Sequence, residues 1–377
     1  MTSTRYPAMP AKVLVVGASG VIGYSAVKHF VGAPGWRVVG ASRRIPMDLD
    51  GATLVSLDLL DASACRGLAH EHRDVTHLVY AALFEKPGLV AGWRERDQME
   101  TNLRMFRNIL DPLTDHASGL EHVTLLQGTK AYGAHVATMT VPGRERAPRH
   151  PHENFYFLQE DHLLARQEQC DGEWAWTILR PQVVLGESLG SNMNVIPAIG
   201  AYGAILREAG EPLHFPGGAP SVSEVVSAEL VARAIGWAAA TPAACNEVFN
   251  VTNGDVMVWR TVWPTVAEAL GMEPGEDRPT VLADAMPERS GEWAAIVDRY
   301  GLRSPRGLGE LVGQSFVYAD VLLGVGRTTV PLPQLVSTVK IRQAGFADCV
   351  DSEDDLAGWF ARLQARRVLP PRDTVAR

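Results

Sequence analysis

Residues 12–23 read KVLVVGASGVIG, and this stretch decides the fold of the chain. Four apolar residues, 13–16, predict a buried strand, and the three glycines that follow predict a turn into a helix. Gly17 allows the tight turn, Gly20 lets backbone amide groups approach a pyrophosphate, and Gly23 lets the helix pack against the strand. The stretch therefore predicts a dinucleotide-binding α/β fold at the start of the chain.

Composition narrows the class of protein. The chain has 377 residues, of which 46% are hydrophobic, enough for a large core in one domain or two closely packed ones. The net charge of -8 argues against binding to nucleic acid, because no basic stripe is available to neutralise phosphates. The four cysteines lie far apart without a CxxC pair, and no histidine cluster has metal spacing, which predicts reduced thiols and no metal site.

No stretch of about 18 apolar residues occurs, and residues 1–11 lack the apolar region of a signal peptide. We therefore expect a cytoplasmic protein that binds no membrane. A homodimer is the default expectation for its oligomeric state.

Strand and helix patterns alternate along the chain, which predicts an α/β fold with a doubly wound parallel sheet of the Rossmann type. After the first strand, further strands are expected at residues 36–42, 54–57, 77–82, 122–127, 174–179 and 248–251. Helices are expected at residues 24–30, 98–110, 228–239, 261–270, 286–300, 316–323 and 356–366. We assign residues 1–187 and 221–255 to the nucleotide-binding domain, and residues 188–220 and 256–377 to a smaller, mainly helical substrate-binding and lid region.

The lid region is rich in aromatic residues and glycines. Residues 188–220 are expected to leave the sheet and to form a wall of the substrate pocket. The aromatic residues expected in the lid, where helical spacing is also compatible with a packed core, are Trp259, Trp263, Trp293, Phe316, Phe346 and Trp359.

The end of the second predicted strand bears on the choice of cofactor. Folds that prefer NAD place Asp or Glu about 20 residues after the loop, to bind the ribose 2′-hydroxyl, whereas arginine suits the 2′-phosphate of NADP. Ser42, Arg43 and Arg44 therefore predict NADPH, with two solvated arginines as the alternative. The other residues expected to contact the cofactor are Ser19, Val21, Ile22, Ala81, Ala82, Pro181 and Val183. Asn102 is expected to face inward, either shaping the site or serving the structure.

The three-residue glycine spacing resembles that of short-chain dehydrogenase/reductases, most of which use a YxxxK pair on one helix. The only YxxxK here, Tyr24 to Lys28, directly follows the phosphate loop, too far from the nicotinamide end of the sheet to act in catalysis. In those enzymes an Asp-Leu pair contacts the adenine, which implies that role for Asp58 and Leu59. A helix cap at Asp61 explains the same stretch almost as well.

Two motifs carry a closer resemblance. Residues 128–132 read GTKAY and residues 154–161 read NFYFLQED. Together with the glycine loop, the double arginine and NEVFNVTNGDV at residues 246–256, they resemble the progesterone 5β-reductase and iridoid synthase (PRISE) family of extended short-chain dehydrogenase/reductases, over most of the chain. The resemblance implies that Tyr156 and Lys130 form the catalytic pair and also contact the cofactor, although they are far apart in sequence.

The sequence also departs from the family. Phe157 stands where the family has a second tyrosine, Ala131 replaces a bulkier residue, and the loop at residues 134–153 is distinct. These departures leave open the physiological substrate and the stereochemistry of the reaction.

The resemblance implies an NADPH-dependent reductase of the activated C=C bond of a small enone or enal. Hydride would add to the β-carbon, and Tyr156 would donate a hydrogen bond to the carbonyl oxygen as charge develops there, while the Lys130 ammonium would lower the phenol pKa. One alternative is a carbonyl reductase, dehydrogenase or nucleotide-sugar epimerase, against which the absence of YxxxK on the expected helix counts. Another is a sensor that binds NADP(H) without turnover.

Simpler interpretations of the same residues stay open. Tyr156 is also compatible with a buried aromatic whose hydroxyl bonds to the backbone, and Lys130 with a cofactor contact alone. His135, His150 and His152 lie in a polar loop with several prolines, which favours solvated side chains over a metal site or a general base.

Overall fold

Parallel strands and helices alternate through residues 11–117 and 119–372, the part of the chain that the computed structural model describes. The strands are β1 (Ala11–Val16), β2 (Trp36–Ser42), β3 (Thr53–Ser56), β4 (His77–Tyr80), β5 (His122–Leu126), β6 (Ala175–Pro181), β7 (Val183–Leu185), β8 (Leu213–Phe215), β9 (Val222–Ser223), β10 (Val225–Ser227), β11 (Glu247–Val251), β12 (Met257–Val258) and β13 (Pro274–Asp277). The helices are α1 (Val21–Gly32), α2 (Ala62–Glu71), α3 (Arg96–His116), α4 (Phe155–Gln169), α5 (Val195–Glu208), α6 (Ala228–Ala240), α7 (Trp259–Ala269), α8 (Leu282–Glu288), α9 (Ser290–Tyr300), α10 (Leu308–Val312), α11 (Ser315–Leu323), α12 (Val339–Gln343) and α13 (Ser352–Ala365). Residues 1–10, 118 and 373–377 of the predicted domain segments lie outside the described residues, and the division into domains stays a prediction.

The central sheet has seven parallel strands in the order β3-β2-β1-β4-β5-β6-β11. Val13 pairs with Val38 of β2 on one side and with His77 of β4 on the other. The strand order therefore reverses between β1 and β4, where the carboxyl ends of parallel strands open a ligand-binding crevice. The predicted doubly wound sheet of the Rossmann type is confirmed.

Strand β1 is buried on both faces, as its continuous apolar sequence predicts. Val13 and Val15 pack into the core that includes α1 and α6, whereas Leu14 and Val16 pack into the core that includes α2 and α3. This alternation covers both faces of the strand, and the parallel pairing with β2 and β4 places its carboxyl end, and the glycine loop after it, at the crevice.

One helix predicted outside the sheet is divided in the structure. The single helix predicted at residues 286–300 is wrong, because α8 ends at Glu288 and α9 begins at Ser290. Pro287 has no amide hydrogen and clashes with the preceding turn, which ends α8 within one residue.

The aromatic residues expected in the lid follow the alternative that their helical spacing left open, a packed core. All six are buried in the main core, with Trp293 and Trp359 almost completely inaccessible. Helix α5 is apolar on every side and lies inside the same core, so most of residues 188–220 do not form a pocket wall. An apolar helical pattern predicts burial but not which neighbour it is buried against.

Candidate active site

One cavity of about 620 Å³ opens where the carboxyl ends of the central strands meet. The residues predicted from the sequence that line it are Gly17, Ser19, Gly20, Val21, Ile22, Ser42, Arg43, Arg44, Asp58, Leu59, Ala81, Ala82, Lys130, Tyr156, Pro181 and Val183. Gly23 does not line the cavity. A Cβ atom on Gly23 would collide with the carbonyl of Gly17, so its role is the close packing of α1 against the loop.

The glycine loop has the geometry that a pyrophosphate requires. Gly17 has φ +91°, and a Cβ atom there would lie 2.7 Å from the backbone of Ala81 and Ala82. Helix α1 begins after Gly20 without a side-chain cap, which leaves its first amide groups available to an anion. The residues present therefore fit a dinucleotide.

The two arginines after β2 have different environments. Arg44 donates to the carbonyl oxygens of Gly190 at 2.9 Å and Leu189 at 3.3 Å, and so fixes that segment of the cavity wall. Arg43 is exposed, and its side chain makes no hydrogen bond or ion pair with a described residue. Arg43 is thus the cation that remains available for a ligand phosphate.

The segment after β3 lines the cavity and caps a helix, while its contact with an adenine stays a prediction. Asp58 and Leu59 line the cavity, while Asp61 caps α2 by accepting hydrogen bonds from Ser63 and Ala64 at 2.9 Å. The cap at Asp61 is confirmed.

Asn154 connects the two motifs that carry Lys130 and Tyr156. As the N-cap of α4, its Oδ1 accepts a hydrogen bond from the Tyr156 amide at 3.1 Å. Its Nδ2 donates to the Lys130 carbonyl oxygen at 2.8 Å. One side chain therefore holds the start of α4 against the turn that follows β5.

The Tyr156 side chain is 8% exposed and lines the cavity. A Cβ atom on Gly128 would lie 3.3 Å from the Tyr156 hydroxyl and 3.4 Å from the Pro181 carbonyl oxygen, so the hydroxyl lies close to the ends of β5 and β6. No described residue forms a hydrogen bond with this hydroxyl, which leaves it free for a ligand.

Lys130 is paired with a carboxylate that the sequence analysis missed. Its Nζ lies 3.2 Å from Oε1 of Glu85 and 4.0 Å from the centre of the Trp93 ring. The Glu85 side chain is 2% exposed, and its Oε2 accepts from Gln98 at 2.7 Å. Glu85 and Trp93 follow β4 at the same carboxyl edge, and that position in the fold was the signal available for finding them.

The electrostatics differ from the expected lowering of the phenol pKa by Lys130. Burial raises the pKa of Tyr156, and the charge of Glu85 raises it further. Burial lowers the pKa of Lys130, which Glu85 opposes, and burial raises the pKa of Glu85, which Lys130 opposes. The pKa of Tyr156 is therefore raised where the resemblance implied a lowered one, chiefly because the side chain is buried.

Asn102 has a structural role. It is fully buried, its Oδ1 accepts from the Phe84 amide, and its Nδ2 donates to the Phe84 carbonyl oxygen, both at 2.9 Å. These bonds hold the segment that carries Glu85.

The sequence suggested that the three loop histidines are solvated, but the structure does not leave them so. All three are partly buried, with 2.6 Å between Nδ1 of His150 and Nδ1 of His152 and 4.8 Å between the ring centres of His135 and His152. His135 lines the cavity, and burial lowers its pKa to about 4. The loop folds back onto Gly133, whose φ of +76° and lack of a side chain admit His150.

The far side of the cavity comes from segments outside the central sheet. It is lined by Tyr318 of α11, by Arg327, by residues 331–334 and by residues 221–224. The YxxxK pair lies elsewhere, because Lys28 forms an ion pair with Glu187 and neither Tyr24 nor Lys28 lines the cavity.

No helix within the described residues combines the length and apolar character of a membrane span. In residues 11–117 and 119–372, no three His, Cys, Asp or Glu side chains are grouped so as to hold a metal ion.

Residues 55–325 match the family described as the PRISE-like Rossmann-fold domain. The (S)-8-oxocitronellyl enol synthase of Nepeta cataria is 31% identical over 95% of this chain and 92% of its own length. The 3-oxo-Δ(4,5)-steroid 5-beta-reductase of Arabidopsis thaliana is 29% identical over the same shares. Among solved structures, a UDP-glucose 4-epimerase of Thermotoga maritima shares the fold, with a TM-score of 0.63 and 16% identity over 94% of this chain and 99% of that one.

Proposed function

We propose that this chain, which belongs to the PRISE-like Rossmann-fold family, reduces the activated C=C bond of an enone or enal with NADPH. Family membership confirms the resemblance drawn from the GTKAY and NFYFLQED motifs, and with its named relatives it makes the chain an oxidoreductase. The observation that carries the finer proposal is the arrangement in one cavity of a phenol without a hydrogen-bond partner and a buried lysine, next to a glycine loop that fits a dinucleotide.

Tyr156 supplies the hydrogen bond that the reaction needs. NADPH held by the glycine loop would supply hydride to the β-carbon of the substrate, negative charge would develop on the carbonyl oxygen, and a proton from solvent would complete the product at the α-carbon. The Tyr156 hydroxyl is protonated at neutral pH and would donate to that oxygen. Its burial strengthens this interaction, since little water competes for the same oxygen.

Lys130 positions the reactants and is itself positioned by Glu85. An ammonium group has three donors, and the contact with Glu85 uses one of them. The remaining donors are available to the ribose of the nucleotide or to the substrate. The Glu85 carboxylate, held by Gln98, offsets part of the cost of burying the charge of Lys130.

The preference for NADPH is proposed from Arg43. The end of β2 carries Ser42, Arg43 and Arg44, with no carboxylate among them to bind a ribose 2′-hydroxyl. Arg44 is engaged with Leu189 and Gly190, so Arg43 provides the cation for the 2′-phosphate.

The test is NADPH consumption with 2-cyclohexen-1-one and with a linear enal, followed by identification of the product. A saturated ketone or aldehyde supports the proposal. An allylic alcohol would instead identify a carbonyl reductase, and tight binding of NADPH without consumption would identify a sensor. Parallel assays with NADH test the choice of cofactor, because comparable kcat/KM values would remove the role given to Arg43.

A further inference from the structure

A second tyrosine hydroxyl faces the cavity without a partner. Tyr318 of α11 lines the cavity together with Val321 and Leu322 of the same helix. Its side chain makes no hydrogen bond with a described residue, and its hydroxyl oxygen is not among the enclosed polar atoms that lack a partner, so it is open to the cavity. Phenylalanine would fill the same space, and an unpaired hydroxyl in apolar surroundings is costly. Packing alone therefore does not account for this hydroxyl.

Gln314 fixes the start of α11 against the segment that carries Glu85. Its Oε1 accepts from the Gly88 amide at 2.7 Å, and its Nε2 donates to the Lys86 carbonyl oxygen at 3.0 Å. Tyr318 follows one helical turn later, and its amide donates to the Gln314 carbonyl oxygen at 3.3 Å. Since residues four apart lie on one face of a helix, the face that contacts this segment also presents Tyr318 to the cavity.

The two phenols lie in the same part of the cavity. After burial and Glu85, the charge of Tyr318 is the next cause that raises the pKa of Tyr156, and such an effect weakens with distance. The two hydroxyls nevertheless form no hydrogen bond with each other, since neither has a partner among the described residues. Both donors therefore remain available to one ligand held in this part of the cavity.

Both phenols are also in the form that donates. Burial raises the pKa of Tyr318, as it does that of Tyr156, so each hydroxyl carries its proton at neutral pH. Two preorganised donors stabilise negative charge on one oxygen more than a single donor does.

We propose that the Tyr318 hydroxyl is a second hydrogen-bond donor to the reacting carbonyl oxygen of the substrate, opposite Tyr156. This rests on the proposed function, in which Tyr156 donates to that oxygen. As hydride adds to the β-carbon and the oxygen takes up the charge, both phenols donate to it and keep their protons, and solvent protonates the α-carbon. The enolate is then held between a donor on α4 and a donor on α11.

The test uses 2-cyclohexen-1-one, whose only polar atom is its carbonyl oxygen. Tyr318→Phe is expected to lower kcat by about tenfold or more, the effect of one hydrogen bond to a charged oxygen. NADPH affinity, measured by fluorescence titration, and urea unfolding should stay at the wild-type values, because the hydroxyl contacts neither the glycine loop nor a described residue. Because the substrate offers no second oxygen, such a loss cannot come from a remote substrate group.

A double variant separates direct donation from an effect through Tyr156. In the Tyr156→Phe background, Tyr318→Phe should lower the single-turnover rate of NADPH oxidation again, because the remaining donor is removed. If Tyr318 acts only by polarising Tyr156, the second substitution has no effect in that background, and the proposal is overturned.

Tyr80→Phe is the matched control. Tyr80 is a buried tyrosine at the end of β4 whose hydroxyl also has no partner in the described part of the chain, but it does not line the cavity. This variant should keep the wild-type kcat.

Each other outcome is decisive. A wild-type kcat in Tyr318→Phe, or a rise in KM without a fall in kcat, would overturn the second donor while leaving C=C reduction intact. A loss of kcat in Tyr80→Phe equal to that in Tyr318→Phe would also overturn it. If wild-type enzyme does not reduce the C=C bond of 2-cyclohexen-1-one, the proposed function fails, and the second donor fails with it.

Discussion

Replacing Tyr156 with phenylalanine removes one hydroxyl from the cavity and no contact within the described protein. No buried donor or acceptor there loses its partner, because the hydroxyl has none. The free energy of unfolding is therefore expected to change by less than about 1 kcal/mol. NADPH affinity should also change little, since the glycine loop and Arg43 are untouched.

Turnover should respond very differently. Loss of one preorganised donor to a developing oxyanion costs about 3 to 4 kcal/mol, which corresponds to a decrease in kcat of roughly 10² to 10³ fold. The assay is steady-state NADPH oxidation with 2-cyclohexen-1-one. Urea unfolding and a fluorescence titration with NADPH on the same preparation separate lost chemistry from lost structure.

Tyr24→Phe is the matched control. Tyr24 is also a buried tyrosine whose hydroxyl has no partner in the described part of the chain, and burial raises its pKa to about 12. It lies outside the cavity, so kcat should stay at the wild-type value. The reasoning is refuted if Tyr156→Phe keeps kcat within about tenfold of wild type, or if the two variants lose activity equally.

The remaining predictions concern charge. Glu85→Gln removes the negative charge that opposes burial at Lys130, so the pKa of Lys130 falls further and the alkaline limb of the pH profile of kcat moves to lower pH. An unchanged alkaline limb would contradict the ion pair between Glu85 and Lys130. Arg43→Ala should raise KM for NADPH by about tenfold or more and leave KM for NADH unchanged; equal effects on both would exclude contact with a 2′-phosphate. Burial lowers the pKa of His77 to about 4, below its unfolded value of 6.5. The buried neutral imidazole therefore makes its full contribution to the free energy of unfolding above pH 6.5, and this contribution is lost as the pH falls toward 4. Urea unfolding should show that His77 accounts for a decrease of about 3 kcal/mol in the free energy of unfolding between pH 6.5 and 4. His77→Gln should make the free energy of unfolding depend less on pH. A wild-type free energy of unfolding that stays constant over this pH range would contradict the prediction.

The features predicted best depend on local signals. The apolar run before Gly17 and the glycine spacing identify both the strand and the turn, because only a buried strand and a close backbone approach need that pattern. Residues at the ends of parallel strands share one edge of the sheet. For this reason Ala81, Pro181 and Val183 could be placed in the cavity from sequence order alone.

What the sequence did not reveal depends on tertiary contacts. Glu85 contacts Lys130 because hydrogen bonds from Asn102 and Gln98 hold the segment after β4 next to the turn after β5. The helical pattern around Trp293 predicts a buried face without naming its neighbour, so the sequence left open whether that face packs in the core or in a lid. In the loop that carries His135, prolines indicated exposure, whereas contacts among the histidines bury them.

The raised pKa of Tyr156 bears on which bond this site reduces. A carbonyl reductase produces an alkoxide, a strong base that must receive a proton, and a tyrosine that gives up its proton readily serves that reaction best. Reduction of a C=C bond produces an enolate, whose oxygen is a much weaker base and needs only a strong hydrogen bond. Here burial raises the pKa of Tyr156, and Glu85, the ion-pair partner of Lys130, raises it further. This direction suits hydrogen-bond donation better than proton transfer, and so agrees with the reaction proposed above.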